Sequence, residues 1–135
     1  MIYSRGFITI FLATSLLAIG SASRRLTCDH CSVTTNWNDC ERLAKPAECG
    51  VLLTNDLHFH LGTLNPSLPL SRPADRRYKC YSIELNLNFV LGPSRMVYQK
   101  GCTYEEAHFC DGWNTVPVNS VICSTNSTGV APIDD

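Results

Sequence analysis

Apolar and polar residues alternate strictly along the segment YSIELNLNF, residues 81–89. The apolar positions are Tyr81, Ile83, Leu85, Leu87 and Phe89. A period of two predicts a β-strand with one buried face. Gly92 and Pro93 then predict a turn, and MVYQKGC, residues 96–102, predicts a returning strand. The pattern therefore predicts a β-hairpin.

Weaker patterns predict the remaining elements. Apolar, β-forming residues predict short strands at residues 51–53 and 116–123, and Pro117 restricts the second strand to a sheet edge or a bend. Residues 65–79 contain prolines and follow no regular period, which indicates an insertion loop. Helix signals are weak, and NDCERLAK, residues 38–45, predicts a single turn. We expect a small all-β domain.

The first residues have the pattern of a secretory signal peptide. Arg5 precedes an apolar run over residues 7–19, and small residues follow it. The run is shorter than the roughly 20 apolar residues that a membrane helix needs, so we predict a cleaved signal peptide. The chain then divides into a signal peptide, a domain and a polar tail, over residues 1–23, 24–124 and 125–135. In a secreted chain Asn126, in the acceptor pattern Asn-Ser-Thr, is expected to carry a glycan.

All eight cysteines follow the predicted signal peptide. The first two lie in LTCDHC, residues 26–31, with a spacing that occurs in zinc sites, in redox-active dithiols and at the start of disulfide frameworks. An even number of cysteines in a small secreted chain favours the disulfide framework, because an oxidising compartment keeps thiols paired. We therefore expect disulfides, no metal ion and no cofactor.

The charges of the chain exclude some classes of partner. A formal net charge of −1 at pH 7 argues against nucleic acid, whose binding requires a basic face. It also gives no electrostatic reason for binding to anionic membranes, and no second apolar run predicts a membrane anchor. The charged residues interpreted as solvated are Arg72, Arg76, Arg77, Lys79, Glu105 and Glu106.

One group of residues raises the question of metal binding or catalysis. His58 and His60 are two residues apart, so on a strand they would point to one face and, with Asp56, could hold a metal ion. The favoured interpretation is a solvated strand face, with the apolar residues Leu57, Phe59 and Leu61 packed on the other side. We therefore expect no enzyme and no catalytic residues. A small secreted metal-binding protein or enzyme that uses His58 and His60 remains the alternative.

The end of the predicted hairpin is apolar. Alternation stops at Phe89-Val90-Leu91, and Arg95 and Met96 follow the turn. A hairpin tip is exposed to solvent, and Phe, Met and Arg are enriched in protein interfaces. We interpret Phe89, Leu91, Arg95 and Met96 as a partner-binding site. The alternative is that Phe89 and Leu91 pack on the protein's own insertion loop.

The order of cysteines and strands resembles the three-finger (snake-toxin-like) superfamily, and more narrowly its lymphocyte-antigen-six and urokinase-receptor branch. The motifs that carry the resemblance are LTCDHC, KCYSIELNLNF…MVYQKGC as the middle finger, and the short cysteine step in GCTYEEAHFC. The resemblance implies three β-loops that project from a knot-like base of disulfides. It also implies four pairings: Cys28–Cys80, Cys31–Cys40, Cys49–Cys102 and Cys110–Cys123. The chain departs from the family because Cys123 is followed by Ser124, without a final bridge, and because the segment between Cys49 and Cys80 is long.

The same resemblance implies a function in binding, since similar soluble members bind proteins through their fingertips. We expect a secreted, monomeric protein that binds an extracellular or membrane protein, such as a cell-surface receptor or an ion channel. A structural or defence protein is a further alternative to the metal-binding protein or enzyme above.

Overall fold

The alternating segment forms a strand inside a five-stranded antiparallel sheet. The computed structural model describes residues 25–70 and 77–130, so the predicted signal peptide lies outside the described residues, as do Arg72 and Arg76. In chain order the elements are β1 (Thr27–Val33), α1 (Trp37–Leu43), β2 (Lys45–Glu48), α2 (Val51–Leu61), β3 (Arg77–Leu87), β4 (Arg95–Tyr104) and β5 (Val118–Val130). The strand order is β2-β1-β4-β3-β5. The prediction of a small, disulfide-rich, mostly β fold is confirmed.

Three loops extend from this sheet. The first loop, between β1 and β2, contains α1, which begins after Asn36, where the side chain of Asn36 accepts a hydrogen bond from the backbone N–H of Asp39 at 2.8 Å. The middle loop connects β3 and β4, whose register runs from Tyr78 opposite Tyr104 to Leu87 opposite Arg95. The third loop, residues 105–117, connects β4 and β5.

Four disulfides hold the loops together, and every cysteine of the described residues is bridged. The pairs are Cys28–Cys80, Cys31–Cys40, Cys49–Cys102 and Cys110–Cys123. These are the pairings that the family resemblance implies. The Sγ atoms of Cys28 and Cys49, which belong to different bridges, lie 3.2 Å apart, so two bridges pack against each other at the base of the loops.

The core lies on one face of β3. Its alternating residues Tyr81, Ile83, Leu85 and Leu87 are buried, as the period of two predicts. The residues that cover them come from the third loop and from the segment around α2, and they are Phe109, Trp113, Leu61 and Leu68. Burying an apolar side chain of this size contributes about 1.5–3 kcal/mol, so this cluster stabilises both the middle and the third loop.

The helix α2 corrects the predicted strand at residues 51–53. It begins after Gly50, whose carbonyl accepts a hydrogen bond from the N–H of Thr54 at 3.0 Å. Thr54, His58 and Leu61 lie on its buried face, as a period of 3.6 residues requires. Short apolar runs do not distinguish a strand from a helix, and here packing against the sheet decides the outcome.

Two predicted boundaries also shift. β5 continues to Val130, so residues 125–130 belong to the sheet and not to a tail. β3 begins at Arg77, so the predicted insertion loop over residues 65–79 ends earlier than expected. Within the part of the chain that the structure describes, no helix is long and apolar enough to cross a membrane.

Candidate partner-binding site

The middle loop ends in a tip, residues 89–96, whose base is held by strand pairing and by the third loop. Leu87, the last residue of β3, is paired with Arg95 on one side and with Val118 on the other. The N–H of Asn88 donates to the carbonyl of Pro117 at 2.9 Å, so the third loop supports the start of the tip. At the turn, Gly92 has φ 128°, a left-handed conformation that side chains disfavour.

The apolar residues of the tip are open to solvent. Val90 is 96% exposed, Leu91 is 93% exposed and Phe89 is 45% exposed. The alternative that Leu91 packs on the protein's own insertion is therefore wrong, because a packed side chain would be covered. Three consecutive apolar residues in water are unfavourable unless a partner buries them.

The predicted site residues lie together. A hollow of about 390 Å³ is lined by Phe89, Leu91, Arg95 and Met96, with Thr34 of the first loop on its rim. None of the ion pairs among the described residues involves Arg95. The tip therefore combines an apolar surface with a cation that is available to a carboxylate of a partner.

The first loop fixes the other side of the hairpin. The indole of Trp37, in α1, donates to a carboxylate oxygen of Glu84 at 3.0 Å and contacts the ring of Tyr98 edge-on, with the centroids 5.4 Å apart. The ammonium of Lys100 lies 5.7 Å from the Trp37 ring and 3.4 Å from a carboxylate oxygen of Glu41. These contacts hold α1 against β3 and β4, so the hairpin is supported on both faces.

Sequence reasoning missed Val116, in the third loop. It is 88% exposed and precedes Pro117, whose carbonyl accepts from Asn88, so it lies beside the base of the tip. Nothing local in the sequence marks Val116, because its position depends on how β5 pairs with β3. It extends the exposed apolar surface from the middle loop to the third loop.

The structure separates His58 and His60, which corrects the expectation that they share a strand face. On α2 His58 is fully buried: its Nδ1 lies 2.6 Å from the carbonyl oxygen of Pro69, and its Nε2 lies 2.9 Å from the hydroxyl of Thr103. His60 is exposed and lies 3.5 Å from a carboxylate oxygen of Asp56. Both ring nitrogens of His58 are engaged in hydrogen bonds, so the two histidines do not form a metal site.

The cysteines of the base and the pair Arg77–Glu105 have structural roles. The Sγ atoms of Cys28, Cys49 and Cys102 lie within 4.8 Å of one another, but all three are in disulfides and offer no thiolate to a metal. Glu105 forms an ion pair with Arg77 at 2.5 Å, so these two residues are not simply solvated.

The predicted glycan acceptor is accessible. Asn126 lies on β5, opposite Cys80, and its side chain is exposed.

Comparisons with protein-family models, with curated proteins and with solved structures find no match for this chain. What the protein binds therefore has to be inferred from its own residues.

Proposed function

We propose that this chain is a secreted, disulfide-stapled binding protein of the three-finger type, similar to the lymphocyte-antigen-six and urokinase-receptor branch. Its partner is an extracellular or membrane protein, and binding modulates a cell-surface receptor or an ion channel. The observation that carries the proposal is the nearly complete exposure of Val90 and Leu91 at the end of a braced hairpin.

The chemistry of the tip favours a protein partner. Interface centres are apolar and aromatic and include arginine, and Phe89, Leu91, Met96 and Arg95 supply these types in one place. Because strand pairing and the third loop hold the base of the tip, little conformational entropy is lost when it binds. A partner that covers these residues thus gains apolar burial at a low ordering cost.

The disulfides and the sequence support an extracellular location. Four bridges in a domain of this size are typical of proteins that fold in an oxidising compartment. The predicted signal peptide and the predicted glycan acceptor Asn126 are consistent with the same route. A binding role without catalysis is proposed because the histidine pair that suggested chemistry is divided between the core and the surface.

Binding to intact cells tests this proposal. Secreted, fluorescently labelled protein is titrated onto cells of the source organism, with and without mild protease treatment of the cell surface. We expect saturable binding that is lost after protease treatment. The Val90→Ser/Leu91→Ser variant is expected to bind at least about tenfold more weakly, because burial of two apolar side chains is lost.

The matched control is Leu52→Ser, because Leu52 is also apolar and 87% exposed but lies on α2. It should bind like the wild-type protein. Equal binding by the tip variant and the wild type, or binding that survives protease treatment, would contradict the proposal.

A further inference from the structure

The two edges of the sheet are protected very differently. One edge is β2, which has four residues and includes Lys45 and Pro46. Its last residue, Glu48, pairs with Arg25 at 3.0 Å. Short length, charge and proline are the usual features that keep an edge strand from pairing with another chain.

The other edge, β5, has none of these features. It spans 13 residues, from Val118 to Val130, with no charged residue and no proline. Among the described residues only β3 pairs with it, so its outer side has no neighbouring strand. Ile122 is 68% exposed and Val121 is 38% exposed along this edge. A long, uncharged edge with exposed apolar side chains is a template for an additional strand.

We propose that the outer edge of β5 binds a second copy of this chain, through antiparallel pairing of the two β5 strands about a two-fold axis. Such pairing places the same uncharged strand on both sides, so no like charges oppose each other. With the axis at Ile122, the isoleucines of the two copies lie opposite each other. Ser120 and Ser124 then face one another across the interface.

The side-chain pattern favours this register over others. Ile122 is more exposed than Val121, and the residue opposite it on β3 is Glu84. Ser124 already bonds to the hydroxyl of Ser82 at 3.0 Å, so its side chain is ordered on the same face. Centring the axis on Ile122 places its exposed side chain against the same side chain of the other copy.

The arrangement has a consequence for the binding tips. The tip follows the end of β3 that pairs with Val118, and the two β5 strands run in opposite directions. The tips of the two copies therefore point away from each other. The proposed dimer differs from the monomer expected from the sequence, and its interface does not involve the tip.

Sedimentation velocity over a wide range of concentration tests the interface. The full chain is measured as it is secreted and again as Asn126→Gln, and we expect the dimer in both, because side chains of a strand project from the faces of the sheet and leave its outer hydrogen-bonding edge free. We expect a reversible monomer–dimer equilibrium. Ile122→Lys should abolish the dimer. At a concentration where the wild type is monomeric it should not change the melting temperature, since the new lysine would lie next to Glu84. Leu52→Lys, at a position on α2 that is even more exposed than Ile122, should leave the dimer unchanged.

Hydrogen exchange gives an independent readout. At high concentration, amides of β5 should become protected while those of β2 do not change. A chain that stays monomeric at all concentrations, or a dimer that survives Ile122→Lys, would overturn the inference. Loss of the dimer in Val90→Ser/Leu91→Ser but not in Ile122→Lys would also overturn it, by assigning the contact to the tip.

Discussion

At the scale of single residues, His58 connects α2 to the sheet. Its ring is buried between the carbonyl of Pro69 and the hydroxyl of Thr103, and it contacts the ring of Tyr104 edge-on at 5.4 Å. Burial lowers the pKa of His58, and burial likewise lowers the pKa of His30 in β1. Both imidazoles therefore stay neutral in the folded protein at a pH where exposed histidines take up a proton.

We expect this to make the protein less stable in acid. Below about pH 6.5 the unfolded chain binds more protons than the folded chain, so the free energy of unfolding decreases as the pH falls through this range. The melting temperature should fall between about pH 7.5 and about pH 5. His58→Gln should lower the melting temperature at neutral pH and make it depend less on pH. His30 should account for the pH dependence that remains.

The control for this prediction is His60→Gln. His60 lies two residues away on the exposed side of α2, so its substitution leaves the buried contacts of His58 in place, and the loss of stability in acid should remain. A His58→Gln profile parallel to that of the wild type would mean that other groups control the acid sensitivity.

At the scale of elements, α2 packs on β4 where a glycine allows close approach. A Cβ at Gly101 would lie 2.9 Å from the hydroxyl of Tyr81 and 3.0 Å from a methyl of Leu57. Tyr81 cannot easily move, because it accepts a hydrogen bond from Gln99 at 2.9 Å and stacks on Phe109. The glycine thus sets how closely the helix meets the sheet.

Gly101→Ala should therefore lower the free energy of unfolding by about 1–3 kcal/mol, the usual cost of overpacking a core. Denaturant titration measures it. In a protein that already carries Leu57→Ala, Gly101→Ala should lower the free energy of unfolding by less than it does in the wild type, because one of the two clashing groups is removed. A fully stable Gly101→Ala variant would show that α2 is free to move away from β4.

The same elements show what the sequence can predict. β3 follows from a period of two and its turn from Gly92 and Pro93, because a hairpin is specified locally. α2 begins after Gly50 without a side-chain cap or an acidic residue in its first turn, and it exposes Leu52 and Phe59, so neither an amino-terminal helix signal nor a clear apolar stripe marks it. The full length of β5 depends on backbone pairing with β3, which its polar side chains do not predict.

The sequence likewise predicts only part of the candidate site. The tip residues could be found from the sequence, because a break in alternation at a turn leaves apolar residues exposed. Val116 could not, since its place beside the tip depends on the pairing of β5 with β3 and on the bond between Asn88 and Pro117. The histidine pair was misplaced because one wrong element assignment, strand for helix, turned both side chains to the same face.

At the scale of the whole molecule, four bridges close loops of very different length. Cys28–Cys80 and Cys49–Cys102 span 52 and 53 residues, whereas Cys31–Cys40 spans 9 and Cys110–Cys123 spans 13. A bridge stabilises mainly by restricting the unfolded chain, and this effect grows with the logarithm of loop length. The long bridges should therefore contribute most to stability.

We expect Cys28→Ala/Cys80→Ala to lower the free energy of unfolding by about 1.5 kcal/mol more than Cys31→Ala/Cys40→Ala, from the difference in loop length alone. Cys28 and Cys40 are both buried, so the two variants lose comparable packing. Denaturant unfolding of both proteins measures the difference. If the short bridge proved equally costly, the contacts that it supports around α1, and not the restriction of the unfolded chain, would control stability. In that case the Trp37–Glu84 bond would be the first contact to remove, because it joins α1 to the hairpin that carries the tip.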